Sequence, residues 1–454
     1  MPLSIIILAA GQGTRMKSSR PKVVHPVAGR PMLLHVVDTS LSLKPDQVIV
    51  VVGYGSDTIR ELMKDQGLGF VEQPQQLGTG HALAQCLGDL NQGNDVLVLN
   101  GDGPLVKTET LQDLLRHASG SSVSLLSFMA EDPHGYGRIL RNDDGSVNAI
   151  VEEKDASAEE KKIRESYSGI LFIEASKVRV LVEKLDNNNT QAEYYLTDVV
   201  KHAIAEGLNV SVTICPDADE VRGINNQVQL AEVESIYRAR RAGELMQQGV
   251  KLYDPARIDV RGSLQVGCDV EIDINCVFEG DVRLDDNVRI GANCVIRNAK
   301  IGAYSNILPM TTIDEAIIGR QVSIGPYARI RPGTECDDDV KIGNFVEIKK
   351  TKIGSGSKVN HLSYIGDTDM GSGVNIGAGT ITCNYDGINK FKTIIEDQVF
   401  IGSNSQLVAP VTIARGTTIG AGSTITRDTP ADKLTLSRSK QVTLDNWKKP
   451  TRKI

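Results

Sequence analysis

No apolar run in this chain approaches the roughly 20 residues that a membrane-spanning helix requires, and 24% of its residues are charged. A soluble globular protein is expected. Positive charge is also in short supply, the formal net charge being −7. General nucleic-acid binding needs a basic surface that displaces counterions from phosphates, so that class of partner is set aside, as is a membrane. Cysteine pairs are missing too. Cys86, Cys215, Cys268, Cys276, Cys294, Cys336 and Cys383 are scattered, with no CxxC and no metal-type Cys/His spacing. An odd count in a long chain argues for free thiols in a reducing compartment. The N-terminal MPLSIIILAAGQGTRM has no positively charged leader and reads as a buried strand of a cytoplasmic protein.

With 454 residues the chain exceeds the roughly 250–300 at which single cores stop growing, so it should divide. Up to about residue 226, short apolar runs at Ser4–Leu8, Gln47–Val52, Val96–Leu99 and Val123–Phe128 alternate with helix-length segments. Buried runs of this kind predict parallel strands covered on both faces, an α/β domain. Residues 227–250 are rich in helix formers, contain no proline, and read as a linking helix ending at Gly249.

Beyond that helix the period changes. Val260, Val266, Ile272, Phe278, Leu284, Ile290 and Ile296 recur at every sixth position. Ile258, Leu264, Val270, Cys276, Val282, Val288 and Cys294 stand two residues before them. After small frame shifts the pattern resumes through Ile318, Ile324, Ile330, Cys336, Ile342 and Ile348, and again from Ile401 to Ile425. A period of six suits a coil with short strands as flat sides and small residues at tight corners, stacked around one aliphatic column. At about 18 residues per coil, residues 251–430 make about ten coils of a β-solenoid. Cys276 and Cys294 would then stack in adjacent coils as core filling. The expected organisation is therefore residues 1–226, a linking helix at 227–250, a solenoid at 251–437 and a basic tail at 438–454, read as a packed or cofactor-binding extension.

The first strand runs into Leu8-Ala9-Ala10-Gly11-Gln12-Gly13-Thr14-Arg15-Met16, followed by Pro21-Lys22. Glycines let backbone amides approach phosphate oxygens, and Arg15 and Lys22 add charge where a triphosphate would lie. The string resembles the nucleotidyltransferases that join sugar 1-phosphates to nucleotides. Gln73 with Leu77-Gly78-Thr79-Gly80-His81-Ala82, Gly101-Asp102, Gly135-Tyr136-Gly137-Arg138, Val151-Glu152-Glu153-Lys154, Glu193-Tyr194-Tyr195-Leu196-Thr197-Asp198 and Gly223-Ile224-Asn225-Asn226 follow in that family's order. The resemblance covers nearly all of residues 3–230. It implies that Asp102 and Asn225 hold a Mg²⁺, and that Leu8, Ala9, Ala10, Gly11, Lys22, Gln73, Gly78 and Thr79 receive the nucleotide. Asn100, Gly101, Gly137, Glu152, Tyr167 and Thr197 would complete the UDP-sugar site. Three positions depart from the pattern: Asn100 replaces a usual tyrosine, Gly103 follows the aspartate, and Tyr167-Ser168-Gly169 replaces Asn-Thr-Gly. They leave the reaction class intact and bear on the sugar contacts.

In the second half, His361 is the only histidine after residue 202. It lies in Lys358-Val359-Asn360-His361-Leu362-Ser363-Tyr364, close before Asn375-Ile376-Gly377-Ala378-Gly379 and a polar break at Cys383-Asn384-Tyr385-Asp386-Gly387. A solenoid metal site would need several histidines. With Arg331-Pro332-Gly333 and Gly343-Asn344-Phe345-Val346-Glu347-Ile348-Lys349, these segments resemble the acetyltransferase half of the bifunctional N-acetylglucosamine-1-phosphate uridyltransferase/glucosamine-1-phosphate N-acetyltransferase enzymes. The likeness adds a left-handed parallel β-helix of the hexapeptide acyltransferase type to the Rossmann-like α/β domain. It implies His361 as general base oriented by Asn384, and a sugar-phosphate pocket of Arg331, Lys349, Tyr364, Asn375 and Lys390. It places acetyl-CoA along Ala378, Asn384, Tyr385, Ser403, Ala421 and Arg438. A homotrimer acting on glucosamine 1-phosphate, N-acetylglucosamine 1-phosphate, UTP and acetyl-CoA is the expected assembly, supplying a precursor of peptidoglycan and lipopolysaccharide.

Overall fold

A computed structural model describes residues 2–450 and Arg452. The chain forms two compact units that meet in sequence at Tyr237 and Arg238. The helix Gln227–Gln247 spans that point. Leu230, Val233 and Ile236 on its first half pack in the core of the first unit, and Ala242 and Leu245 on its second half in that of the second. No helix among the described residues is long and apolar enough to cross a membrane.

The first unit is built on a nine-stranded sheet whose central strand, Leu3–Leu8, is fully buried apart from Leu8. It runs parallel to Gln47–Val52 on one side and Asp95–Asn100 on the other, pairing Leu8 with Val51 and with Asn100. The chain segments leaving those strands, Ala9–Gly11 and Gly101–Asp102, therefore emerge together at one sheet edge. That is where open α/β sheets bind their ligands.

The expectation of parallel strands throughout needs correction. Glu165–Ile173 lies between Val123–Met129 and Asp95–Asn100 and is antiparallel to both. Its apolar stretch Ile170–Ile173 is as buried as its parallel neighbours. A run buried on both faces does not encode its direction. The strand also carries a bulge between Tyr167 and Leu171, where Gly169 has φ +86°. A Cβ there would fall onto the Asn100 side chain, so glycine is required.

In the second unit, residues 251–435 wind into a parallel β-solenoid with one face of eleven strands and two further faces joined in a seventeen-strand sheet. Coil to coil, Ile258 pairs with Cys276 and Val260 with Phe278, then Lys300 with Arg283 as the repeat shortens by one. The aliphatic positions read from the sequence form one continuous core, with Val266 only half-buried at its margin. Cys276 and Cys294 are both in it, and burial pushes their thiols to about 12 and about 11. All seven cysteines are free. Corners recur at left-handed backbone positions, often asparagine, as at Asn275, Asn287, Asn293 and Asn298. Buried hydroxyls such as Ser305, Ser357 and Thr351 donate to carbonyls of the following coil. From residue 436 to 450 every side chain is exposed, Trp447 to 66%. In the single chain residues 438–450 are thus not packed, which goes against one of the two roles expected of the tail, a packed or a cofactor-binding extension.

Close stacking makes some glycines untouchable. A Cβ on Gly302 would lie 2.5 Å from the Gly319 carbonyl oxygen in the next coil, which backbone pairing holds in place. Gly302→Ala should therefore cost about 1–3 kcal/mol of solenoid stability, the range for overpacking. A lowered unfolding transition for the second unit, with that of the first unchanged, is the expected result by scanning calorimetry.

Candidate functional site

At the sheet edge of the first unit the glycine turn faces open space, since a Cβ on Gly11 would meet no atom within 4 Å. The turn leads into the short helix Thr14–Met16 and then to Lys22. The Lys22 ammonium forms an ion pair with Asp102 and donates to Asn225 Oδ1 at 3.2 Å. Arg15 donates to the same oxygen at 2.9 Å. Two oxygen donors from distant segments thus converge on one cationic point. Both Lys22 and Asp102 are largely shielded, their side chains 14% and 17% exposed, which strengthens this electrostatic grouping.

Two adjoining cavities open around that point. One, of about 280 Å³, is lined by Leu8, Ala9, Ala10, Gly11, Lys22, Gln73, Gly78 and Thr79, with Gln76 and Glu193. The other, of about 210 Å³, is lined by Gly137, Glu152, Tyr167, Thr197 and Asn225, with Tyr136 and Gly223. Leu8, Thr79, Asn100 and Asp102 border both. Gly101 supports the junction through its backbone, donating to the Leu8 carbonyl at 2.9 Å. Gln73 is held by the Gly78 carbonyl and His81, each at 3.0 Å. Tyr167 borders the second cavity while its hydroxyl is sealed and unpartnered, so this departure from the family pattern contributes a ring wall. Glu193 stands in the string Glu193–Asp198 that matches the family, without a role implied for it, whereas Gln76 and the buried Glu220, which accepts from Lys107 at 2.8 Å, went unseen in the sequence. No periodicity or motif marks them.

The second unit separates its candidates into two groups. Backbone bonds link His361, Ala378, Ser403 and Ala421 down one edge: Gly379 N–H donates to His361, Asn404 to Ala378 and Gly422 to Ser403. Arg438 extends the column, donating to the Ala421 carbonyl at 3.2 Å. At about 4.8 Å per coil this is an extended track. His361 is exposed, and its Nδ1 pairs with Asn344 Oδ1 at 3.1 Å. Asn384 does not touch His361; its amide donates to Asp367 instead.

The second group lies on the other faces. Arg331 donates to Glu347 at 2.7 Å, and Lys349 to Asp367 at 3.4 Å. Lys390 has its pKa lowered through hydrogen bonding with, and repulsion from, Lys349. An open cavity of about 340 Å³ adjoins them, lined by Lys350, Lys352, Asp367, Lys390 and Lys392 among others. Tyr364 follows one corner after His361, pairing with Glu347 and Ile381, while Asn375 shares the eleven-strand face with His361. Tyr385 and Lys390 bridge the base of an exposed loop that lengthens this coil to a 25-residue step. Burial raises the Cys383 thiol pKa, which disfavours a thiolate nucleophile there.

Three family models match parts of the chain: a MobA-like NTP transferase domain over residues 5–157, a GMPPB C-terminal domain over 260–361, and a bacterial transferase hexapeptide of six repeats over 392–427. A glycine-turn nucleotidyltransferase unit and a hexapeptide solenoid in one chain define a bifunctional transferase. The protein is 54% identical over 452 residues to the bifunctional protein GlmU of Cupriavidus pinatubonensis, covering 99% of both chains. It is 53% identical to that of Nitrosospira multiformis, over 99% of this chain and 98% of the relative, and 52% identical to that of an Azoarcus species, over 99% and 100%. The chain belongs to the GlmU family of bifunctional proteins. It is an enzyme with two activities, uridyl transfer and N-acetyl transfer, working on nucleotide and acetyl-CoA substrates.

Glu152 offers a test of the second cavity. Burial pushes its carboxyl above the usual 4.5, against the pull of the Thr197 hydroxyl at 3.1 Å. A raised folded-state pKa gives stability that is present below the unfolded value and lost as pH rises through the folded one. Glu152→Gln should therefore stabilise the free first unit at about pH 8, and the gain should vanish near pH 4. Urea denaturation at both pH values checks this; an equal gain at both would show that ionisation is not the cause.

Proposed function

We propose that the two activities are consecutive steps to UDP-N-acetylglucosamine: acetylation of glucosamine 1-phosphate, then uridyl transfer from UTP to N-acetylglucosamine 1-phosphate with release of pyrophosphate. The observation that carries the second step is the meeting of Lys22, Asp102 and Asn225 between two cavities. The uracil would lie by Gln73, Gly78 and Thr79, and the sugar by Gly137, Glu152 and Thr197. The sugar phosphate oxygen is already anionic, so the attack on the α-phosphorus needs no protein nucleophile, only positioning and charge neutralisation. Arg15, Lys22 and the Gly11 turn supply cations and backbone donors. Asp102 and Asn225 present two oxygens to a point that the Lys22 ammonium already occupies as a stand-in cation. That donor set suits Mg²⁺, which takes one or two protein oxygens and fills its shell with water and phosphate. When bound, Mg²⁺ would supply charge stabilisation to the phosphates.

For acetyl transfer, Asn344 Oδ1 accepts from His361 Nδ1–H, which leaves Nε2 as the lone pair that takes the amine proton. A neutral amine can then attack the thioester directly. The column from Ala378 to Arg438 would receive acetyl-CoA, with Arg438 facing its phosphates, and Arg331, Lys349 and Lys390 would bind the sugar phosphate.

The same layout supports an assembly of several copies, which we take to be a homotrimer. In one chain the acetyl-CoA column and the cationic pocket are on different faces, so a second copy would complete the site. Met310, Tyr327, Phe345 and Leu362 form a corner column that is 44%, 53%, 57% and 62% exposed, with Tyr327 stacked on Phe345 at 5.4 Å. Such a ridge calls for a partner surface. A cytoplasmic location suits these substrates and the free cysteines.

Two experiments test the reading. Asp102→Ala should remove uridyl transfer and spare acetyl transfer, whereas His361→Ala should lower acetyl-transfer kcat about 10²–10⁴-fold and spare uridyl transfer; loss of both activities in either folded variant would defeat the assignment. The assembly is read by light scattering: the native protein should have three times the 49.1 kDa chain mass. The double change Tyr327→Glu and Phe345→Glu should give monomers that retain only uridyl transfer.

A further inference from the structure

Two carboxylates line the cationic pocket of the solenoid, where a phosphate would be repelled by them; Asp369 is paired with Lys392 at the rim, and Asp367 stands further in. Asp367 is 17% exposed and receives two donors, Lys349 Nζ at 3.4 Å and the Asn384 amide. Its backbone is fixed from both sides, donating to Lys349 O at 2.9 Å and accepting from Thr393 N–H at 3.1 Å. It occupies a corner with φ +49°, directly beneath the root of the inserted loop. Lys349, Lys350, Lys390 and Asn384 are the polar groups that face it from the surrounding coils and loop. An anion placed there weakens phosphate binding electrostatically, so its contribution must lie in what it orients.

A carboxylate only accepts hydrogen bonds, and a side-chain amide has one donor end and one acceptor end. With its NH₂ tied to Asp367, Asn384 must turn its carbonyl oxygen outward. We propose that Asp367 is a positioning residue of the acetyl-transfer site: it locks the Asn384 amide so that an acceptor oxygen, not an NH₂, is offered to the amine of the aminosugar phosphate. The Lys349 contact holds the same carboxylate in place and ties the phosphate side of the pocket to the amine side. Without the lock the amide is free to rotate and present its donor end, which repels an amine's own N–H groups. This inference rests on the proposed acetyl-acceptor reading and adds the residue that keeps an acceptor oxygen turned toward the reacting amine.

The test uses full-length enzyme and two sugar phosphates that differ at one atom. For native protein, Asp367→Ala, Asn384→Ala and the double variant, kcat and KM are measured with glucosamine 1-phosphate, and Ki with glucose 1-phosphate, which keeps the phosphate and lacks the amine. Asp367→Ala removes the acceptor and should lower kcat/KM at least about tenfold, the scale of a lost hydrogen bond to a charged group. Its Ki for glucose 1-phosphate should stay level or tighten, because a negative charge has left the pocket. The double variant should match Asn384→Ala. A Ki that weakens in step with kcat/KM, or losses that multiply in the double variant, would overturn the proposal. Should Asp367→Ala lack the circular dichroism of a folded solenoid, Asp367→Glu takes its place. That variant keeps a carboxylate acceptor, so kcat/KM should stay within about tenfold of native, and a fall to the level of Asn384→Ala would overturn the proposal equally. Native protein that fails to acetylate glucosamine 1-phosphate would instead refute the acceptor reading itself.

Discussion

Parallel backbone pairing is the constraint on which both units depend. In a parallel ladder every residue lies level with its partner, so whatever follows the strand emerges at a common height. In the first unit Leu8 is level with Val51 and Asn100, and this alone brings the glycine turn beside Asp102 although 90 residues separate them in the chain. In the second unit the same rule repeats coil after coil. It stacks isoleucine on isoleucine inward and, on the outer edge, sets His361, Ala378, Ser403 and Ala421 in line.

That rule explains what could be read in advance. Inward positions of a solenoid must be apolar in every coil, so the sequence repeats and the column from Val260 to Ile296 is plain without a structure. The glycine turn and Asp102 are legible for a different reason: close approach to phosphate restricts backbone and charge to a few residue types. The antiparallel course of Glu165–Ile173 was hidden because burial on both faces looks the same in either direction. Asp367 and Asn344 were hidden because their meaning is relational. Each acts on a residue in a neighbouring coil, and nothing in the chain marks which of many polar corner residues has such a partner.

The two proposed phosphate sites are built differently. The first concentrates a few shielded groups, Lys22, Asp102 and Asn225, at a strand edge where their geometry is fixed by the central sheet. The second holds one pair just as shielded, Lys349 with Asp367, but rings it with exposed cations at Lys350, Lys390 and Lys392 and sets Glu347 beside Arg331. A shielded group acts strongly over a short range, whereas an exposed cluster attracts a charged ligand from further away but is weakened by salt.

The ends of the solenoid are unlike each other. At the start, Ala242 and Leu245 of the helix tail cover the aliphatic column, while at the finish Leu434 and Leu436 are 63% and 50% exposed. Because each coil is stabilised mainly by its two neighbours, opening by fraying begins at the uncovered end and travels inward. The turns that open first carry Arg438, Ala421 and Ser403, so the terminal coils act as a zipper whose teeth are the column proposed to receive acetyl-CoA, and a ligand lying across several of them would work as its clasp.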